Sequence, residues 1–451
     1  MEDRRCGVAV IGAGTAGLHA YEAAWNMGAD TLLIEQGSGG TTCTRYGCMP
    51  SKALLAAAHA AHAARRAGGF GIRTGDIHVD GEAVMARVRA LRDRFFAAVL
   101  EDYDAIPADH RLHGTACFTG PDRLVVGDTT IHADAIVIAT GARPIVPESL
   151  DPVRALVHTH ETIFDIETLP RSLAVLGAGP VGLELAQAFA RLGVAVTLFD
   201  EDDIVGGLGD PQVNASARAA LSQEVTMRLG VTVTAEAQDG RARLSWTGAE
   251  AGSESFDLIL AATGRPPCLD PLALDTTGLA LDDHGTPLFD HRTRRCGDSA
   301  IFVAGDAGSW RPVLHEAARG GRIAGMVAAG GEAPRVLPAF AITFTDPQLV
   351  EVGTGFADLP DGARIGEAKP ADNGRAVIER TTEGLVRLYA DRDGRLIGAS
   401  IAAAEAEHLG HGLALAIDRG ISMADFADQP WYHPTLEELL QQAARDALGE
   451  D

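Results

Sequence analysis

Two thiols separated by four residues stand in the run Thr41-Thr42-Cys43-Thr44-Arg45-Tyr46-Gly47-Cys48-Met49-Pro50-Ser51-Lys52. Such a pair can form or exchange a disulfide, and the reactive form is the thiolate, which a helix N-terminus favours. An alanine-rich helix is expected just there, from about Lys52 to Arg66. The alternatives are a zinc half-site or two unpaired buried thiols. Four residues between the cysteines lies outside the usual knuckle spacing, and no second cysteine pair completes a tetrahedral site. Near the other end, His433 is followed five residues later by Glu438. A substrate dithiol arrives mostly protonated, so exchange needs a base, and histidine titrates in the right range. Glu438 can reach back to one ring nitrogen, fix the tautomer and leave the other nitrogen free.

These groups need a scaffold, and the chain offers a repeated one. An apolar run from Val8 to Ile11 meets Gly12-Ala13-Gly14-Thr15-Ala16-Gly17, a helix-compatible stretch, and a second apolar run ending in Glu35. Leu173 to Leu176 meets Gly177-Ala178-Gly179-Pro180-Val181-Gly182, again a helix-compatible stretch, and a run ending in Asp200. In each copy the acid lies 18 residues after the last glycine, close to the spacing of a dinucleotide-binding βαβ unit. The first glycine permits the tight turn, the second lets backbone approach a pyrophosphate, the third lets helix pack on strand, and the acid takes a ribose hydroxyl. Each unit is followed by a strand ending in Ala-Thr-Gly, at Ala139-Thr140-Gly141 and Ala262-Thr263-Gly264. A single such glycine pattern is weak in a glycine-rich chain; two ordered copies imply two dinucleotide domains. A strand ending at Gly305-Asp306 follows, and from Pro338 onward strands and helices alternate as in a separate α+β domain after a linker at about 330–338.

The bulk properties fit this organisation. At 451 residues the chain should hold two to four domains. A formal charge of -24 repels phosphate backbones and anionic headgroups, so nucleic acid and membrane surfaces are not expected as partners. The longest apolar stretch, from Leu173 to Phe199, is broken by Glu184 and Arg191, so no membrane span is expected. The first residues show neither an apolar signal core nor a cleavage site, and cytoplasmic residence is expected. Cys6, Cys117, Cys268 and Cys296 are isolated, which argues against a structural disulfide framework. No metal site is expected. His315 and the run Ala56 to Ala64 are taken as structural.

The ordered set Gly40 to Cys43, Cys48 to Lys52, the fingerprints at Gly12 and Gly177, Gly305-Asp306, and His433 to Glu438 resembles the class I pyridine nucleotide-disulfide oxidoreductases. This is the flavoenzyme family of dihydrolipoamide dehydrogenase, glutathione reductase and mercuric reductase. The resemblance implies an α/β fold with two doubly wound dinucleotide-binding domains and a C-terminal α+β dimerisation domain. The implied ranges are 1–148 for FAD and the redox disulfide, 149–268 for NAD, 269–333 for the return to the FAD domain, and 334–451 for the dimer interface. It further implies Cys43 as the interchange thiol and Cys48 as the flavin-facing thiol. Lys52 would sit by the flavin and pair with Glu184. FAD would be held by Gly12, Gly14, Gly17, Glu35, Lys52, Thr140, Gly141 and Asp306, and NAD by Gly177, Gly179, Gly182, Asp200 and Gly264. His433 with Glu438 would be the base and its orienting carboxylate, supplied across a homodimer interface.

Differences select within the family. Asp200 followed by Glu201-Asp202-Asp203 would repel a 2′-phosphate, which favours NAD. Mercuric reductase would call for a C-terminal cysteine pair, and the last cysteine is Cys296. The soluble transhydrogenase branch lacks the complete redox pair that this chain has. The resemblance is therefore nearest to dihydrolipoamide dehydrogenase, with a lipoyl-carrying protein domain as substrate. The alternatives are an NADH-dependent reductase of another small disulfide and a non-catalytic NADH-sensing flavin-binding protein. Departures from the family pattern are Thr44-Arg45-Tyr46 between the thiols, Trp431-Tyr432 before the base, and Cys268 after Gly264-Arg265-Pro266-Pro267.

Overall fold

The computed structural model describes residues 2–450; Met1 and Asp451, the outermost positions of the expected domain ranges, lie outside them. The chain divides into two compact units. One comprises the residues through Ala53 with Ala86–Ile145 and Gly264–Val336, the other Leu54–Met85, Val146–Thr263 and the stretch from Leu337 onward. The expected NAD range thus falls largely in the same unit as the C-terminal range.

The first unit is built on a sheet whose parallel strands run in the order Arg111–His113, Thr31–Glu35, Glu2–Ile11, Thr129–Ile138, with Ile301–Val303 beside the last. Strands Arg123–Val126 and Ala116–Gly120 extend it antiparallel. Both faces of Glu2–Ile11 are covered: Val8 and Val10 enter one apolar cluster, Ala9 and Ile11 another. That explains why a parallel strand reads as a continuous apolar run. Helices Thr15–Asn26 and Leu314–Ala328 pack backbone to backbone, because a Cβ on Gly321 or Gly325 would lie 2.0 Å from the carbonyl of Ala16 or Ala20.

The second unit holds a parallel sheet in the order Thr226–Leu229, Ala195–Asp200, Ser172–Leu176, Leu258–Ala261, Val157–His158. It also holds a three-stranded antiparallel sheet over residues 231–256 and a five-stranded antiparallel sheet, Phe340–Thr343, Gln348–Gly353, Leu396–Ala403, Leu385–Ala390, Arg364–Ala368. Helix Glu438–Leu448 lies on the last of these so closely that a Cβ on Gly366 would meet the Ala443 carbonyl at 1.9 Å. The fold is that of the α/β class with an α+β C-terminal domain.

A buried polar cluster joins the nucleotide fold of this unit to its C-terminal sheet. Asp210 is fully buried and caps helix Pro211–Leu221, its carboxylate accepting from the amides of Gln212 and Val213. Arg387 donates to both Asp210 oxygens at 2.9 and 2.7 Å, and the Tyr389 hydroxyl donates at 2.7 Å. Nearby, Glu351 accepts from the Ser400 hydroxyl and the Gly209 amide. Burial pushes Glu351 up to about 7, with the Asp210 charge adding to the rise and the two donors opposing it.

Candidate active site and nucleotide cradles

The thiol segment begins with a short helix, Thr42–Arg45, whose N-cap Thr41 accepts from the Thr44 amide at 3.3 Å. The next helix is Cys48–Arg66, a turn longer than the start near Lys52 expected from the sequence. Pro50 falls in its first turn, where no amide is needed, and the Ser51 amide already bonds Gly47. The correction matters chemically, because Cys48 becomes the first helical residue and sits in the field of the helix N-terminus. Cys43 and Cys48 are not disulfide-linked in this structure. A hydrogen bond to Cys48, with burial second, holds the Cys43 thiol well above its ordinary range, while the Lys52 charge pulls it down. The hydrogen bond and burial together favour the protonated form of Cys43. Lys52, half-buried, follows Cys48 by four residues and so shares its helix face.

The segment is clamped from outside. Arg45 lies over Phe96 and Tyr46 at 5.1 and 4.9 Å from the ring centroids and donates to Ser38 at 3.2 Å. Gly40, at φ +91°, leaves the space that Phe96 fills.

The two glycine fingerprints have matching geometry. A Cβ on Gly12 would lie 2.4 Å from the Ala139 carbonyl, and one on Gly177 would lie 2.3 Å from the Ala262 carbonyl. On Gly17 and Gly182 it would strike the carbonyls of Gly12 and Gly177 at 1.7 and 1.9 Å. Gly14 and Gly179 alone face open space, with nothing within 4 Å, and each is the N-cap of a 12-residue helix without a side-chain cap. Steric need thus explains the outer glycines, while the middle one leaves room and free amides for a pyrophosphate. The acids are matched as well: Glu35 accepts from the Ala13 amide at 2.6 Å and Asp200 from the Ala178 amide at 2.5 Å.

The rest of the expected FAD set lies in the first unit. The Thr140 hydroxyl oxygen is buried with no partner among the described residues, and Gly141, at φ +72°, faces open space. Asp306, in the turn Gly305–Gly308, takes an ion pair from Arg265. An unpartnered buried hydroxyl on Thr140, whose Cα would lie 3.3 Å from a Cβ on the fingerprint residue Gly12, fits a dinucleotide cofactor. Gly264 opens the return segment of this first unit and accepts from the Ile145 amide at 3.2 Å, whereas Gly177, Gly179, Gly182 and Asp200 lie in the second.

His433 and Glu438 are brought together in the second unit. The imidazole Nδ1 lies 3.0 and 3.2 Å from the two carboxylate oxygens, and the Thr435 amide donates to one of them at 3.0 Å. The Thr435 amide and then the His433 ring hold Glu438 below the usual carboxylate range, against slight burial. The His433 side chain is 78% exposed, so its far nitrogen is open to a partner. Of the two aromatics expected beside it, Trp431 turns inward, donating to the Phe426 carbonyl at 3.1 Å, and only Tyr432 faces out. Glu184 is buried and accepts from the Phe344 amide at 2.9 Å.

Sequence reasoning missed Arg265 and Thr435, and also Gln187 and Arg191, which together with Glu184 make a polar stripe at spacings of three and four on the second fingerprint helix. That stripe was visible as a pattern; the backbone contact of Thr435 was not. Among the described residues no helix is long and apolar enough to cross a membrane.

Residues 7–324 match the model of the pyridine nucleotide-disulphide oxidoreductases, and residues 339–444 match that family's dimerisation domain. The chain is 32% identical over 464 residues to a dihydrolipoyl dehydrogenase of Haloferax volcanii, covering 98% of this chain and 96% of that one. It is 35% identical over 459 residues to a mercuric reductase of Shigella flexneri, covering 97% and 80%. In fold it is similar to LpdA from Mycobacterium tuberculosis, with TM-score 0.83, 23% identity and coverage of 98% and 99%. It is likewise similar to the HOCl-induced flavoprotein disulfide reductase RclA from Escherichia coli, with TM-score 0.82, 22% identity and coverage of 97% and 99%. The chain belongs to the pyridine nucleotide-disulphide oxidoreductase family, class I flavoprotein disulfide oxidoreductases that use FAD and NAD(H).

Proposed function

We propose that this protein oxidises a dihydrolipoyl group to its disulfide and reduces NAD to NADH, working as a homodimer in the cytoplasm. The observation that carries the reading is the thiol pair, with Cys48 opening a helix, Cys43 hydrogen bonded to it and Lys52 one turn on. A substrate thiolate attacks Cys43 of the Cys43–Cys48 disulfide, and Cys48 leaves as the thiolate that its helix N-terminus favours. The second substrate thiol displaces Cys43, so the substrate loses two electrons and two protons and the enzyme disulfide becomes a dithiol. His433 of the other subunit takes the substrate proton, with Glu438 fixing its tautomer. Bound FAD supplies the two-electron relay that returns the thiols to the disulfide and passes hydride to NAD. Gly14 and Gly179 leave the backbone open for the two pyrophosphates, Glu35 and Asp200 take ribose hydroxyls, and Lys52 and Glu184 keep the flavin-side roles that the family resemblance implies. The ranges 1–148, 149–268, 269–333 and 334–451 are the corresponding domain assignment, with a lipoyl-carrying domain as the docking substrate.

The similarity to mercuric reductases, and the cation–aromatic pair Arg45 and Tyr46 beside the thiols, support a second reading, the NADH-dependent reduction of another small disulfide. Steady-state kinetics with dihydrolipoamide and NAD, beside oxidised glutathione with NADH and with NADPH, separate the two. The proposal expects dihydrolipoamide with NAD to have the highest kcat/KM, and a greater value for a glutathione pair would overturn it.

A further inference from the structure

The second fingerprint helix, Pro180–Arg191, is buried along most of its length by Leu183, Leu185, Ala186, Ala188 and Phe189. Its stripe of Glu184, Gln187 and Arg191 is equally buried, at 6, 1 and 4% exposure, so these polar groups need partners inside the fold. All three find them on one short segment. Glu184 accepts from the Phe344 amide at 2.9 Å. Gln187 accepts from the Asp346 amide at 2.8 Å and donates to the Asp346 carbonyl at 2.8 Å, so that its side-chain amide pairs with one backbone residue as a neighbouring strand would. Arg191 donates to the Asp346 carboxylate at 2.8 Å and forks onto Glu224 at 2.6 and 2.7 Å, where Gln187 joins it at 3.0 Å.

Apolar contacts alone let a helix slide or turn by small amounts at little cost. Directional bonds at three successive points permit one rotation and one height, because any other leaves buried donors unpaired. The same helix begins at the open Gly179 and carries Glu184. We propose that Gln187 and Arg191 are positioning residues that lock this helix to Phe344–Asp346 and thereby set where the Glu184 carboxylate stands. The inference rests on the reading of Glu184 as the partner of Lys52 beside the flavin. It gives the C-terminal domain, which supplies Phe344 and Asp346, a part in placing that carboxylate.

The test uses FAD-loaded protein. Gln187→Met keeps the volume and removes three hydrogen bonds; it is compared with Arg191→Met, Arg191→Lys, Glu184→Gln and Leu244→Ala. Leu244 is fully buried in the same unit, in an apolar cluster with Phe199 and Trp246. The measurements are hydrogen exchange at the Phe344 amide and the long-wavelength thiolate–flavin absorption after two-electron reduction. Gln187→Met should speed Phe344 exchange about tenfold and remove about half of the absorption, in the direction seen for Glu184→Gln. Arg191→Lys should recover part of what Arg191→Met loses, and if Arg191→Met fails to hold FAD, Gln187→Met and Arg191→Lys decide. Leu244→Ala should lower the melting temperature and leave the absorption intact. A wild-type absorption in Gln187→Met beside a perturbed one in Glu184→Gln overturns the positioning inference alone, as does equal loss in Leu244→Ala. A wild-type absorption in Glu184→Gln overturns the reading of Glu184 and the inference with it.

Discussion

Replacing Glu351 by glutamine should remove a loss of stability that sets in above about pH 4.5 and is complete above about 7, and the size of the effect follows from its surroundings. The carboxyl is largely buried beside Asp210, whose charge is already matched by Arg387, and burial moves it from an ordinary 4.5 to about 7. A folded-state value above the unfolded one means that the folded protein holds the proton longer. Stability is then greatest below about pH 4.5, falls as the pH rises through about 7 and levels off above. The displacement corresponds to about 3 kcal/mol between the two limits. A glutamine in this place cannot ionise, yet its amide oxygen can still accept from Ser400 and Gly209. Arg387, Tyr389, Asp210 and Glu367, the charged and titratable groups around the cluster, are the same in both proteins, so the difference isolates Glu351. Denaturation of the FAD-loaded protein should be followed from pH 5 to 9 at fixed protein and cofactor concentration. The stability of wild type relative to Glu351→Gln should fall by roughly 2–3 kcal/mol across that range, half of it by about pH 6, and level off above about 7. A difference that stays flat, or rises with pH, would show that the folded protein does not hold the Glu351 proton.

Two further outcomes concern the chemistry. Two-electron reduction should give a long-wavelength thiolate–flavin band that Cys48→Ser abolishes and Cys43→Ser keeps or enhances; identical spectra in both variants would contradict the division of roles between the thiols. Asp200 should reject a 2′-phosphate by charge, so kcat/KM for NAD should exceed that for NADP by a factor on the order of 10² or more, about 2.7 kcal/mol, and equal efficiencies would sink the assignment.

Much of the cradle geometry was legible because glycine leaves little choice. At Gly12, Gly17, Gly177 and Gly182 a side chain would strike backbone, so the pattern in the sequence is a direct record of close approach. The acids ending the second strands were legible from spacing alone. The helix start at Cys48 was not, because Pro50 reads as an interruption until it is placed in the first turn. Nor was the cluster around Asp210, whose partners Arg387 and Tyr389 are 177 and 179 residues away in sequence. The ion pair of Arg265 with Asp306 spans 41 residues and was hidden for the same reason. Local pattern reports backbone conformation and which face is apolar; it does not report which distant buried charges choose one another. Trp431 is a milder case, since sequence put a bulky residue beside His433 and only the fold turned its indole towards Phe426.

In the proposed mechanism Cys43 and Cys48 of one subunit work with His433 of the other, and subunit complementation measures that pairing. His433→Ala should lose most dihydrolipoamide oxidation, since base assistance is worth about 10²–10⁴-fold, while keeping FAD and direct transfer from NADH to an artificial acceptor. Cys43→Ser should be inactive through loss of the exchanging thiol. When the two variants are mixed under subunit-exchanging conditions, each heterodimer regains one complete site. About a quarter of wild-type activity should then return if exchange is random. Absence of activity in a mixture shown to contain heterodimers, or full activity from a monomer, would contradict the account.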